Sequence, residues 1–224
     1  MTTTKKSGFL KKNGLTFFML VLGIVFLLAQ FYTGWHENND KLEELKQPPI
    51  AFSEYICSGH AIQSTFENLE SEFLQMAIFV LVTTFLFQKG SSESNPLPEE
   101  NKPDEEKETP LTKDSPAGAR QKGFIKWLYS YSLSIILFTL FFISFLMHWY
   151  GSWIDYNEEQ VIVGESTLSF FGYLKHCRFW FESFQNWQSE FISIAAIVFL
   201  SIYFRHKGSS QSKPVNMPDN ETDG

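Results

Sequence analysis

A chain of 224 residues with 44% hydrophobic residues, a formal net charge of −7 and a pI near 5.3 has room for one domain or two small ones. Two cysteines exclude a disulfide-dense scaffold, and an acidic balance without a basic, aromatic surface excludes nucleic-acid binding. The apolar residues, including 24 Phe, are gathered into four blocks while most charge lies in the ends and connections, which is the segregation of an integral membrane protein.

The first block follows Lys5, Lys6, Lys11 and Lys12 and has no charged residue from Leu15 to Trp35. It predicts a span over 14–35, long enough to cross about 30 Å at about 1.5 Å per residue. A cleavable signal peptide also starts with basic residues, but no clean small-x-small site follows, and the second half carries an equivalent segment. A mainly acidic connection comes next, with Glu37, Asp40, Glu43, Glu44, Cys57 and His60. The block Phe73 to Phe87 is too short alone, so its helix must begin earlier and draw Asn68 to Glu72 to the membrane boundary, giving a span over 66–88.

Residues 93–122 are rich in Glu, Pro, Lys and Ser, the composition of a disordered linker. Trp127 to Ile154 is uncharged apart from the titratable His148 and predicts a span over 127–153. A second acidic connection holds Asp155, Glu158, Glu159, Glu165, His176 and Cys177. Phe191 to Phe204, lengthened through Asn186 to Glu190, gives the last span, 184–205, and residues 211–224 share the linker's character.

Sliding the chain on itself by 118 pairs Leu15 with Leu133, Tyr32 with Tyr150, Trp35 with Trp153, Asn39 with Asn157, Phe52 with Phe170 and Tyr55 with Tyr173, without a gap. The register runs through "NLESEF" and "NWQSEF" (68–73 and 186–191) to Lys-Gly-Ser-Ser at 89–92 and 207–210, where Gly reads as a helix stop. Residues 1–92 and 123–210 are therefore read as a tandem duplication. The expected fold is all-α and integral to the membrane: four transmembrane helices as two parallel hairpins, with pseudo-twofold symmetry along the membrane normal. Lys and Arg flank the termini and the linker, which are expected to be cytoplasmic, with the two acidic connections outside. Trp35, Tyr32, Trp153 and Tyr150 then fall at the outer interface.

These halves, with Gln-Pro-Pro at 47–49, Phe-Glu-Asn at 66–68, Ser-Glu-Phe-Leu-Gln-Met at 71–76, Lys-Gly-Ser-Ser-Glu-Ser at 89–94 and Tyr-Asn-Glu-Glu-Gln at 156–160, resemble an uncharacterised family of bacterial membrane proteins, a domain of unknown function. The resemblance implies a membrane location and a bacterial source, and no activity.

Helical spacing puts Asn68, Glu72 and Gln75 on one stripe, and Asn186, Glu190 and Ser193 on its counterpart. Carboxylates at this depth should turn away from lipid, which makes these six residues a candidate polar seam for a cation, a proton or a small polar ligand. The structural alternative is that each Glu sits in a first turn or fixes helix register by hydrogen bonding. Gln30 and His148 are matched positions that could complete the seam or simply tolerate the interface, and Cys57 and Cys177 could pair as a disulfide or remain thiols. No phosphate loop, Ser/His/Asp order, HExxH or zinc-type spacing occurs, so no cofactor is expected. The expected partners are the lipid bilayer and a protein at the outer loops. The reading is a non-enzymatic protein of the bacterial inner membrane acting in interaction, sensing or membrane maintenance. A small channel or transporter using Glu72 and Glu190 is the alternative, and a membrane-embedded enzyme the third.

Overall fold

The computed structural model describes residues 8–98 and 111–222; Lys5 and Lys6 of the basic start, linker residues 99–110 and residues 223–224 lie outside the described residues. All regular structure among the described residues is helical: α1 (Phe9–Glu44), α2 (Phe52–Tyr55), α3 (Gly59–Val82), α4 (Gly123–Ser130), α5 (Ser132–Val163), α6 (Phe170–Tyr173) and α7 (Cys177–Tyr203). Two of these, α1 and α5, are long and apolar enough to cross a membrane. The helices α3 and α7 have the length, but Glu67, Glu70 and Glu72 in one and Arg178, Glu182 and Glu190 in the other dilute their apolar character.

The first helix overshoots its uncharged block by more than two turns, because Glu37 to Glu44 is made mostly of residues that keep helical backbone at little cost. At its start, Asn13 leaves helical geometry (φ −124°, ψ 16°), and Tyr131 does the same between α4 and α5 (φ −108°, ψ 12°), 118 positions on. At the far end the chain leaves α1 through Lys46 at φ 59° and leaves α5 through Gly164 at φ 80°. Both are left-handed exits with matching backbone bonds: Gln47 donates to Leu42 at 2.8 Å, and Glu165 to Gln160 at 2.8 Å.

The chain divides into two compact units, Met1–Phe66 with Met147–Lys175, and Glu67–Leu146 with His176–Gly224. In the first, the connections are clasped to the helices that precede them. Trp35 donates its indole N–H to the carbonyl of Ile50 at 2.8 Å, and the Asn39 amide bonds both that carbonyl and the Ile50 N–H. Trp153 and Asn157 hold Leu168 in the same way, at 2.8, 3.0 and 2.9 Å. Each Trp then meets an aromatic ring edge to face, Phe52 at 5.7 Å and Phe170 at 5.5 Å between centroids.

Tyr55 and Tyr173 are the buried anchors beneath these clasps. The hydroxyl of Tyr173 bonds Ser152 at 2.6 Å; at the matching place in α1 stands Gly34, where a Cβ would collide with the Tyr55 hydroxyl. The start of α3 crosses α5 through two more glycines: a Cβ on Gly59 would lie 2.5 Å from the Asp155 nitrogen, and one on Gly151 would lie 2.5 Å from that of Gln63. Bulk is excluded there because backbone touches backbone.

In the second unit, Glu70 and Trp187 bond across α3 and α7, and Phe141 and Phe145 of α5 pack on Trp187 and Phe179. The stretch 211–222 is a run of turns and bends anchored by polar groups. The Lys213 ammonium is buried and donates to the carbonyls of Pro218, Asp219 and Glu221 at 3.0–3.2 Å, and Arg205 pairs with Asp219 at 2.7 Å. A polar chain can be held this way without an apolar core, which composition does not register. The Lys-Gly-Ser-Ser stretch that ends the first copy is also tied, Ser91 to Ser201 at 2.9 Å and Gly90 to Thr222 at 3.0 Å.

Candidate functional site

The predicted seam lies in the second unit and is only partly assembled. Gln75 is buried, Asn186 and Glu190 are half-buried, and Asn68, Glu72 and Ser193 are exposed. Glu72 and Glu190 are near enough for their charges to act on one another. The hydroxyl of Ser193 is spent on the Glu190 carbonyl at 2.8 Å, and the Asn186 amide on the Glu182 carbonyl at 3.2 Å. The fully buried carboxylate of α3 is instead Glu70, which accepts the Trp187 indole N–H at 2.8 Å. Glu70 lies two positions before Glu72, about 200° around the helix and so nearly opposite, and the packed face runs through Glu70, Leu74 and Ala77 rather than through Asn68 and Glu72.

Gln30 donates to Ser64 at 3.3 Å, while His148 is completely buried in α5. Cys57 and Cys177 are free and exposed thiols, so the disulfide alternative is not the form seen here.

A site that helical spacing did not point to lies in the first unit. A cavity of about 700 Å³ opens between the last turns of α1, the segment from Ile50 to His60, and the C-terminal turns of α5. Its hydrocarbon wall comes from Leu42, Leu45, Ile50, Ile154, Val161 and Ile162, beside the Trp153 ring. Four carboxylates, Glu54, Asp155, Glu158 and Glu159, face one ammonium, that of Lys41. The clasps create this arrangement: by fixing Ile50 they fold the first connection back over α1 and set its short α2 against the cavity.

The charges are not equivalent. Glu159 is paired with Lys41, and Glu54 accepts the Ala51 N–H at 2.8 Å as a cap on α2. Asp155 is buried. Part of Glu158 stays exposed, but the cavity walls crowd its carboxylate; that partial desolvation, and then the charge of Asp155, holds its pKa above the ordinary glutamate value. Glu158 has no hydrogen-bond partner among the described residues, which leaves it available at the mouth. To one side Tyr55 and His60 meet at 3.0 Å and His60 faces Glu37 at 3.3 Å. With Nδ1 accepting from Tyr55, Nε2 carries the proton toward Glu37. Burial first, then the charge of Glu37, keeps Tyr55 a neutral phenol by raising its pKa.

The signal for this cavity is present in the matched Trp and Asn residues, which also fit interface anchors and a repeat register. Chemically the cavity offers negative charge on a greasy wall. Neither a curated protein nor a solved structure matches the chain. A family model matches residues 6–224, and the chain belongs to that family, the domain of unknown function DUF6766.

Proposed function

We propose that the chain is a non-enzymatic integral protein of the bacterial inner membrane whose outer connections form a head that senses or binds a solute. The cavity in the first unit is the observation that carries this reading, since it is walled by the two acidic connections that charge distribution assigns to the outside. Membrane insertion is supported by α1, none of whose most apolar 18-residue window is buried although it is apolar on every side. Such a surface is stable in hydrocarbon and costly in water. The four-span, pseudo-twofold arrangement by tandem duplication is supported by the matched clasps, helix breaks and left-handed exits at a constant offset.

The channel alternative rests on Glu72 and Glu190 acting on one another, but the exposure of Glu72 and the spent hydroxyl of Ser193 leave little to line a polar path. The test of the main reading uses the two native cysteines. In bacterial cells expressing the chain, a membrane-impermeant maleimide is expected to label Cys57 and Cys177 without permeabilisation, one at a time in Cys177→Ser and Cys57→Ser. Labelling that requires opened cells would place the connections inside and overturn the orientation.

A further inference from the structure

We infer that the cavity of the first unit binds an organic monocation with an apolar body, such as an aryl-alkyl ammonium. The inference rests on the proposed outer head and names what that head takes. The six aliphatic side chains and the Trp153 ring form a wall for hydrocarbon, which a bare metal ion or a polyamine would leave unused. The four carboxylates against one ammonium give the lining a negative balance, which repels an anion and attracts a cation. Lys41 is already occupied by Glu159 and Glu54 by its own helix cap, so Glu158 at the mouth is the carboxylate positioned to meet an incoming ammonium. The size of the cavity suits a ligand of drug dimensions, not a peptide.

Two further residues make the proposal measurable. Cys57 is an exposed thiol on the cavity lining, and Cys177 is an exposed thiol outside that lining. The full chain is placed in uncharged phosphatidylcholine nanodiscs and alkylated with N-ethylmaleimide while benzyltrimethylammonium is titrated in. Modification at each cysteine is read by peptide mass spectrometry. The expected result is saturable protection of Cys57 with Cys177 reacting at an unchanged rate. In Glu158→Gln the protecting concentration is expected to rise about tenfold, the loss of one charge-assisted contact. In Ile162→Trp, which fills the hydrocarbon wall, protection is expected to vanish. Neither 3-phenylpropionate nor magnesium chloride should protect.

Protection of both cysteines alike, protection by magnesium equal to that by the organic cation, or an unchanged protecting concentration in Glu158→Gln would each overturn the assignment. So would the absence of any protection. Failure here with Cys57 still labelled from outside the cell leaves the outer head in place and removes only its ligand class. Inward-facing cysteines remove the outer head itself.

Discussion

Lys41 in α1 and Glu159 in α5 form an ion pair, and they are separated by 118 positions, the offset that also relates the two clasps. A residue that touches its own counterpart must stand beside any axis relating the copies, so the pair supports the proposed twofold more directly than sequence register does. Both side chains are partly exposed, at 38% and 26%, and the pair alone should contribute only about 0.2–1 kcal/mol. Lys41→Glu should cost roughly 1 kcal/mol, because it adds a carboxylate to a wall that already has four. The double swap Lys41→Glu with Glu159→Lys should recover most of that loss, and added salt should shrink the difference. Thermal unfolding in detergent at two ionic strengths measures this, and a swap no better than the single variant would show that the pair has no energetic role.

The clasps predict paired losses. Asn39 satisfies both the N–H and the carbonyl of Ile50, and Asn157 does so for Leu168, with the N–H bonds at 2.9 Å in each. Asn39→Ala and Asn157→Ala should each cost about 1–3 kcal/mol, since each strands a part-buried backbone N–H. Comparable drops in melting temperature are expected. A large loss at one position with none at the other would mean that only one clasp holds its connection.

The register was legible in the sequence because it rests on identities such as Trp35 with Trp153 and Asn39 with Asn157, which are independent of packing. Their physical task was not legible, since a tryptophan before an acidic loop reads equally well as an interface anchor. Spacing around Glu72 defines a stripe on α3 without saying which neighbour it meets. The Trp187 indole reaches Glu70, and that partner fixes which side of α3 is packed. In the same way, composition identified 211–224 as unable to form an apolar core, and could not report that the Lys213 ammonium gathers three carbonyls.

Lys46 and Gly164 occupy one conformation with different chemistry, φ 59° and φ 80° at matched helix exits. A side chain in the left-handed region costs roughly 1–2 kcal/mol, partly offset by the greater chain entropy that glycine loses on folding. Lys46→Gly is therefore expected to stabilise the chain by up to about 1 kcal/mol, and Gly164→Ala to destabilise it by about as much. Unfolding midpoints of the two variants should move in opposite directions. Movement in the same direction would indicate that Lys46 makes compensating contacts through its stem.

Glu158 gives the pH dependence of the cavity. Crowding by the walls, followed by the charge of Asp155, raises its folded pKa above the ordinary 4.5, so between 4.5 and the folded value the native chain binds more protons than the unfolded one. Stability from this group must then fall as pH rises through that window, and the cost is fully present above it. Glu158→Gln removes the cost: it should match the parent at a pH below 4.5 and melt higher than the parent at pH 7. Because Glu158 is exposed at the mouth, the gain should be small and should diminish with salt. A melting series from pH 4 to pH 8 at low ionic strength separates the outcomes. A gain that appears only above the window marks a carboxylate held at a desolvating wall, where an ammonium ligand would restore what burial costs. An offset equal at every pH, or a variant less stable than the parent at pH 7, would mean that Glu158 is not destabilised by the wall and leave the cavity without its receptive charge.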